Sequence, residues 1–331
     1  MRKVAVVTTG FFDGVHLGHR HVIETVVSSA RERGEEAIVV TFWPHPRTVL
    51  QQDARDFRLL TSLEEKKALL TAAGIDRVEV LPFTREFAAM KADEYLQMLR
   101  ERFGASLIVM GYDNRIGSDR RTASDLAGAD TKVPVLVSEP LFSGPQDTKT
   151  HVSVSASAGP AASENYFSRR YPKSQFPEAI ANPTRADAIS STRIRKALEA
   201  GEVESANGML GYHYGLYGVV VAGNRMGRTI GFPTANMQLY EPLKLMPANG
   251  VYAVEVEVLG RKYLGMSNIG IRPTVGGSSR TIETHILDFD EDIYGLPLRI
   301  RFRRRIRDER KFPSLETLRE QLVKDRKACR K

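Results

Sequence analysis

Two histidines stand three residues apart in "GFFDGVHLGHR", residues 10–20, directly behind the apolar run "VAVV". If a strand ends near Thr8 and a helix begins near Gly18, His16 and His19 lie around the helix N-terminus. Free N–H groups and the helix dipole favour anions there. Each imidazole can also donate a hydrogen bond to a phosphate oxygen. The spacing therefore predicts a phosphate-binding site.

Two other interpretations of this pair compete. A zinc site needs at least a third ligand, and the one further histidine nearby, His21, should point away. An enclosed structural role remains open for one of the two histidines. Three glycines in the same stretch argue against a purely structural role for both.

A second stretch, "VAGNRMGRTIGFPTAN" at residues 221–236, also combines glycines with side-chain oxygens. The chain has no G-x-x-x-x-G-K-[ST] pattern, so no P-loop holds nucleotide phosphates. The stretch instead supplies flexible backbone at Gly223, Gly227 and Gly231, and oxygen donors at Thr234 and Asn236. Hard oxygen ligands suit Mg²⁺, which keeps waters and bridges nucleotide phosphates.

One carboxylate has an unusual place in the strand pattern of "TIETHILDF", residues 281–289. Alternation puts Glu283, His285 and Leu287 on one face of the strand. A general base is one interpretation of a carboxylate beside Leu287. Exposure on an edge strand is the other.

The elements that position the first site alternate between strand and helix, which predicts a doubly wound parallel sheet covered on both faces. Ligands of such sheets bind at the carboxyl ends of the strands. The expected strands are Val4–Thr8, Ala37–Phe42, Arg77–Leu81, Ser106–Gly111 and Val133–Ser138. The expected helices are His19–Arg33, Leu63–Ala73 and Ala92–Arg102, the second opened by a capping box of Ser62 and Glu65.

The pattern fails between about 143 and 188, where a stretch rich in Ser, Ala and Pro predicts a long insert. Two helical runs follow, and we place the domain boundary between residues 211 and 212. Short strand-like runs with Gly, Pro and Asn turns then predict a small antiparallel barrel. A closing helix, Ser314 to Arg330, should carry Leu315, Leu318 and Leu322 toward it.

Composition narrows the class of protein further. The chain of 331 residues is 42% hydrophobic and carries a formal charge of +8. Its single cysteine, Cys329, excludes an intramolecular disulfide, and no segment has the length of a membrane span or the form of a signal peptide, so we expect a cytoplasmic protein. The basic stretch "LRIRFRRRIRDERK", residues 298–311, alternates like a half-buried strand, which favours a solvated face over a nucleic-acid groove.

The motifs together resemble those of one family. "GFFDGVHLGH" is similar to the HxGH motif of nucleotidyltransferases, in the F-D-G-V-H-x-G-H form of bacterial bifunctional riboflavin kinase/FAD synthetases. "TFWPHPRTVL" (41–50), "ISSTRIR" (189–195), "GRTIGFPTAN" (227–236), "NIGIRPT" (268–274) and "ETHILDF" (283–289) match further motifs of that family in order. The resemblance implies a Rossmann-like FMN adenylyltransferase domain over residues 1–211 and a barrel riboflavin kinase domain over residues 212–331.

The resemblance also implies a role for each matched residue. In adenylyl transfer, His16 and His19 would be catalytic and contact ATP phosphates. In phosphoryl transfer, Thr234 and Asn236 would hold Mg²⁺ and Glu283 would be the base. The implied ATP contacts are Gly10, Phe12, Asp13, Gly18, Ser191, Thr192, Arg195, Gly227, Thr229 and Gly231. The implied flavin contacts are Asp113, Asn114, Arg115, Arg307 and Phe312.

One loop departs from the family pattern. In "GYDNRIGSDRR", residues 111–121, Asn114 and Ile116 stand where aromatic residues are common. The main hypothesis remains an enzyme that makes FMN and then FAD from ATP and riboflavin. A kinase with weak or lost adenylyltransferase activity is one alternative, and a flavin-responsive nucleic-acid-binding protein is another. We expect small-molecule partners, no nucleic acid, no membrane, and a monomer or weak homo-oligomer.

Overall fold

The computed structural model describes residues 4–50, 57–129, 131–141, 188–223, 226–274 and 277–330. The predicted insert lies outside the described residues, except for Ala188. The chain divides into two compact units, Met1–Ser191 and Thr192–Lys331.

The first unit contains a parallel sheet of five strands. The strands of this unit are β1 (Ala5–Thr9), β2 (Glu36–Trp43), β3 (Arg77–Pro82), β4 (Ala105–Gly111), β5 (Arg115–Ile116), β6 (Arg121–Thr122) and β7 (Val135–Ser138). The sheet order is β3-β2-β1-β4-β7, and β5 and β6 form a separate antiparallel pair. Since β1 and β4 are neighbours across the crossover point, their carboxyl ends mark the expected ligand edge.

Helices cover both faces of this sheet, as the alternating pattern predicts. They are α1 (Leu17–Arg33), α2 (Pro46–Leu50), α3 (Leu63–Ala72), α4 (Arg85–Ala89), α5 (Ala92–Phe103) and α6 (Ala123–Ala127). One core contains Val22, Ile23 and Val26 of α1, and the other contains Leu96 and Leu99 of α5. The capping box predicted at the start of α3 is confirmed.

The second unit is built around a closed barrel with the strand order β10-β11-β12-β9-β8-β13. The strands are β8 (Gly215–Val221), β9 (Ala235–Leu239), β10 (Gly250–Val258), β11 (Arg261–Thr274), β12 (Gly277–Ile286) and β13 (Pro297–Arg307). The helices from the boundary onward are α7 (Ser191–Ala200), α8 (Val203–Leu210), α9 (Met226–Thr229) and α10 (Leu315–Cys329). All strand pairs of the barrel are antiparallel.

The arginine-rich strand β13 has the predicted alternation. Leu298, Ile300 and Phe302 are fully buried. Between them, Arg301 pairs with Glu255 at 2.8 Å and with Glu257 at 3.0 Å across β10. Cross-strand pairing of opposite charges therefore accounts for part of the basic face.

The division between the units falls earlier in the chain than the predicted boundary at 211/212. The two helices of this region pack with the barrel: Asn207 Nδ2 on α8 donates to the Phe302 carbonyl at 2.8 Å, and the Tyr214 amide donates to Asn207 Oδ1 at 2.7 Å. On α7, the Leu198 carbonyl accepts from the Ala248 amide at 2.8 Å. Hydrogen bonds distant in sequence thus place these helices in the second unit.

The closing helix α10 packs on the barrel through its later turns. Leu322 and Val323 pack against a core cluster that includes Cys329. The prediction for Leu315 was wrong, because this first residue of the helix is 50% exposed. Only the later turns lie against the barrel.

A buried ion pair fastens α10 to β13. Arg307 Nε lies 3.0 Å and Arg307 Nη2 lies 2.8 Å from Asp325 Oδ2, and Asp325 is 1% exposed. Asp325→Asn is expected to lower the free energy of unfolding of the second unit by about 3–5 kcal/mol, because it leaves the arginine charge without its counter-charge. Urea titration followed by far-ultraviolet circular dichroism measures this change.

The matched control is Asp288→Asn, which breaks the exposed pair between Asp288 and Arg330. We expect no measurable change there, since exposed ion pairs contribute little. Equal urea midpoints for Asp325→Asn and Asp288→Asn would contradict the prediction.

Candidate active sites

The loop of residues 10–15 leaves the carboxyl end of β1 in a strained conformation. Phe12 has a φ of 54°, Gly14 of 83° and Val15 of 38°. A left-handed backbone at a residue other than glycine costs on the order of 1–3 kcal/mol and persists only where the surroundings hold it. Such a loop therefore needs strong contacts on both sides.

Asp13 supplies several of these contacts. Its carboxylate is 3% exposed and accepts hydrogen bonds from the Leu60 amide at 3.0 Å and the Thr61 amide at 3.1 Å. Its carbonyl accepts from Ser191 Oγ at 2.9 Å. Asp13 and the 5% exposed Phe12 thus have buried side chains, so the structure makes them parts of the loop's scaffold.

The predicted histidine pair lies at the start of α1. His16 is the N-cap residue, and its Nδ1 accepts a hydrogen bond from the His19 amide at 3.2 Å. A neutral imidazole with an accepting Nδ1 carries its proton on Nε2, which makes Nε2 the donor. The two rings are stacked, with centroids 3.6 Å apart. His16 is 4% exposed and His19 is half-buried.

Gly18 brings a second motif to this pair. A Cβ at Gly18 would lie 3.2 Å from His16 Nδ1 and 3.2 Å from the Ile189 carbonyl oxygen, so a larger residue would force one of them to move. Ile189 begins the stretch "ISSTRIR". The structure therefore places Ile189, the first residue of that motif, at the histidine loop.

Two predicted phosphate contacts fall beyond the first unit. Thr192 and Arg195 lie on α7 and belong to the second unit. Their role toward the histidines stays a prediction.

The stretch from Thr41 to Leu50 also contacts the loop. Thr41 Oγ1 donates to the Phe11 carbonyl at 3.1 Å. The His45 ring lies edge-on to the Phe11 ring, with centroids 4.0 Å apart, and 4.2 Å from the Phe57 ring. The rings of Phe11, His45 and Phe57 therefore form a continuous aromatic cluster at the loop, which the sequence pattern did not predict.

The loop after β4 holds the residues that depart from the family pattern. Asn114 Nδ2 donates to the Thr9 carbonyl at 3.0 Å, at the end of β1, and Ile116 packs against a core cluster. Asp113 and Arg115 are exposed. Both substituted residues thus make structural contacts, and the role of Asp113, Asn114 and Arg115 toward a flavin stays a prediction.

A row of polar side chains crosses the outer face of the barrel. Glu283 on β12 lies directly opposite Asn236 on β9 and Asn268 on β11. Directly paired residues of antiparallel strands share a face, whereas the neighbours Ile282 and Thr284 are buried at 2% and 0% exposure on the other face. The predicted alternation is confirmed, and the pairing adds Asn268 to the row.

The backbone at Gly223 lies directly against Asn236, one member of this row. A Cβ on Gly223 would lie 2.1 Å from Asn236 Nδ2, so only glycine permits this approach. Thr234 precedes β9, Gly227 and Thr229 lie on α9, and Gly231 follows it.

Side-chain oxygens at Thr234 and Asn236 fit a magnesium ion, which takes hard oxygen ligands and retains water and phosphate ligands. In the described part of the chain, no three His, Cys, Asp or Glu side chains are grouped to hold a metal. The protein's share of such a site would therefore be small, and phosphate oxygens would complete it.

His285 lies on the same face of β12 as Glu283. Its Nδ1 is 2.8 Å from the Pro233 carbonyl, and the Phe232 ring lies edge-on to it with centroids 5.2 Å apart. Burial lowers the pKa of His285, the positive charge of Arg326 lowers it further, and Asp288 and the Pro233 hydrogen bond oppose the change.

The lowered pKa of His285 predicts a stability that falls in acid. Below about pH 6.5 the unfolded chain binds a proton that the folded state resists, so the free energy of unfolding decreases by at most about 1.4 kcal/mol per pH unit. Urea midpoints of the second unit at pH values from about 7.5 to 5.5 measure this.

His285→Gln should flatten that pH dependence, because glutamine can donate to Pro233 without titrating. Burial also lowers the pKa of His213, so this residue contributes separately to the pH dependence of stability. His213→Gln therefore serves as a comparison that measures the contribution of His213 alone. An unchanged slope in His285→Gln would contradict the prediction.

The two remaining predicted flavin contacts lie at the end of β13 and beyond it. Arg307 is held by Asp325 and lies 5.5 Å from the centre of the Phe312 ring. The guanidinium of Arg310 lies 4.8 Å from that centre. Their role in flavin binding stays a prediction.

The fold and sites define a two-unit transferase class, in which a nucleotidyltransferase-type α/β unit precedes a riboflavin-kinase-type barrel. Residues 1–139 match the family model described as FAD synthetase, and residues 210–331 match the one described as riboflavin kinase. The chain belongs to the bifunctional riboflavin kinase/FMN adenylyltransferase family.

Curated members of this family align over almost the whole chain. The protein from Listeria monocytogenes is 34% identical over 98% of this chain and 91% of its own. The Bacillus subtilis protein is 34% identical over 97% and 90%, and the Escherichia coli K12 protein is 34% identical over 98% and 91%. All three are named bifunctional riboflavin kinase/FMN adenylyltransferase.

A solved structure has the same fold over the whole chain. The crystal structure of a macrolide-efflux protein from Streptococcus pneumoniae superposes with a TM-score of 0.83, at 31% identity, covering 100% of this chain and 95% of that one.

Among the helices that the structure describes, none is both long and apolar enough to cross a membrane.

Proposed function

We propose that the chain phosphorylates riboflavin to FMN with one ATP and adenylylates FMN to FAD with a second. The observation that carries this proposal is the presence of two separate constellations, the histidine pair of the first unit and the Glu283 row of the second. Membership of the bifunctional family supports both activities.

Adenylyl transfer requires no nucleophile from the enzyme. An oxygen of the FMN phosphate attacks the α-phosphorus of ATP, a new P–O bond forms, and the bond to pyrophosphate breaks. Catalysis then consists of positioning and of neutralising the developing charge. His16 Nε2 and the half-buried His19 are suited to donate to phosphate oxygens at the positive end of α1.

Gly10, Gly18 and Ser191 are assigned as further ATP contacts by their place at the loop, and Arg195 is assigned by the family resemblance alone. Gly10 and Gly18 offer close backbone approach, and Ser191 is fixed to the loop through Asp13. Arg195 would hold phosphate oxygens with two parallel hydrogen bonds, which lysine cannot do.

Phosphoryl transfer to riboflavin uses a carboxylate base. The ribityl hydroxyl attacks the γ-phosphorus, ADP leaves, and Glu283 accepts the hydroxyl proton. Thr234 and Asn236 would hold Mg²⁺, which when bound neutralises charge on the ATP phosphates. Asn236 lies directly opposite Glu283, so the proposed metal ligand and the proposed base share one face of the barrel.

Product chromatography tests the proposal. Purified protein receives ATP and Mg²⁺ with riboflavin in one tube and with FMN in another. FAD from both tubes is the expected result. FMN from the first tube with no FAD from the second would leave the kinase alone, and the absence of FMN from the first would refute the kinase assignment.

A further inference from the structure

Lys66 is a lysine with no exposed surface. It lies on α3, and its Nζ is 3.4 Å from the centre of the Phe11 ring and 3.5 Å from Thr41 Oγ1. Lysine is almost never fully buried unless its charge is compensated. Groups that compensate the charge of this buried ammonium are therefore expected around it.

The compensating groups belong to the histidine loop. The Phe11 ring faces the ammonium as in a cation–π contact. Burial lowers the pKa of Lys66 to about 8, and the negative charge of Asp13 opposes the change. Asp13 is itself 3% exposed, so the loop and α3 each contribute one of two buried, opposite charges.

These contacts bracket the strained part of the loop. Phe11 and Asp13 flank Phe12, whose φ is 54°, and Val15 with a φ of 38° directly precedes His16. Thr41, which meets the Lys66 ammonium, also donates to the Phe11 carbonyl. Lys66 thus contacts the groups that hold the loop in its left-handed conformation.

We propose that Lys66 is a positioning residue for adenylyl transfer, whose buried ammonium keeps residues 10–15 in the shape that presents His16 and His19 to the ATP phosphates. This inference rests on the proposed function. It assigns no contact between Lys66 and substrate, and it adds a residue on α3 to a site otherwise built from the loop and α1.

The test compares Lys66→Met and Lys66→Arg in the full chain. Each is assayed for FMN to FAD conversion and for riboflavin phosphorylation, at pH values from about 6.5 to 9.5. Lys66→Met should lower the rate of FAD formation at least about tenfold, because small displacements of catalytic groups are costly. Its rate of FMN formation should be unchanged.

The pH profile separates positioning from mere packing. Wild-type FAD formation should decline above about pH 8, because Lys66 then loses its proton. Two other titratable side chains lie nearby: Asp13 of the loop acts on Lys66 through its negative charge, and His45 contacts the Phe11 ring on which the ammonium lies. Lys66→Arg should retain most of the wild-type rate of FAD formation, because arginine also binds aromatic faces. It should lack the decline above about pH 8, because arginine stays protonated.

Two controls make the outcome decisive. Trp43, the single tryptophan, lies in β2, so its emission during heating reports whether the first unit of each variant is folded. Lys67→Met removes a partly exposed neighbour that pairs with Glu64, and it should leave both activities unchanged.

A folded Lys66→Met variant with wild-type FAD formation and pH profile would overturn the inference. If Lys66→Met does not fold, Lys66→Arg decides, and an alkaline decline identical to the wild type would overturn it. A wild-type chain that converts no FMN would instead refute the proposed function, and the inference with it.

Discussion

Replacing Glu283 with glutamine is expected to abolish FMN formation from riboflavin while FMN is still converted to FAD. Glutamine keeps the size of the side chain but cannot accept the hydroxyl proton, and a general base contributes about 10²–10⁴-fold to the rate. Glu283 lies in the second unit, opposite Asn236 and Asn268, whereas the histidine pair lies in the first. Chromatography of FMN and FAD from each substrate measures both steps.

The matched control is Glu255→Gln. Glu255 also lies on a barrel strand, but it pairs with Arg301 and is not part of the Glu283 row. Its replacement should leave FMN formation within about twofold of the wild type. Parallel loss of both activities in a folded Glu283→Gln variant would contradict two independent sites.

His16→Asn is expected to lower FAD formation by about 10²–10³-fold while FMN formation persists, because removing one donor to a developing oxyanion has an effect of that size. Asparagine is among the best N-cap residues, so it can replace His16 Nδ1 as the acceptor for the His19 amide. The variant therefore removes the imidazole and keeps the cap. Initial rates with FMN and with riboflavin measure the two effects.

A companion variant separates capping from catalysis. His16→Ala loses both the cap and the ring, and it should be less stable than His16→Asn by about 1 kcal/mol. Similar FAD rates for the two variants would assign the loss to the imidazole. Wild-type FAD formation by His16→Asn would contradict a catalytic role for His16.

Local patterns predicted much of the fold. The helix expected over His19–Arg33, the Ser62–Glu65 capping box and the alternation around Glu283 all depend on residues a few positions apart, and the structure agrees with each. Strand β9 was not predicted, because Gly and Pro residues precede it and its strand conformation depends on pairing with β8 and β12. Asn268 joined the Glu283 row for the same reason, since strand register is a tertiary property.

The scaffold of the histidine site was harder to predict. The contact of Asp13 with Leu60 and Thr61 joins residues 47 and 48 positions apart, which no local pattern indicates. Lys66 did leave a signal, because its spacing from Leu63 and Leu70 matches one face of a helix. Because lysine side chains are almost always exposed, this spacing alone does not predict a buried lysine. The burial is explained only by the tertiary structure, which brings Asp13 and the Phe11 ring to Lys66.

One chain thus carries two sets of residues that act independently, one set on riboflavin and the other on FMN. The most direct test mixes Glu283→Gln and His16→Asn proteins with riboflavin, ATP and Mg²⁺. Alone, the first should make no FMN and the second should stop at FMN. The mixture should make FAD, because FMN released by one chain can be adenylylated by the other. No FAD from the mixture, when each variant performs its own half-reaction, would contradict the claim.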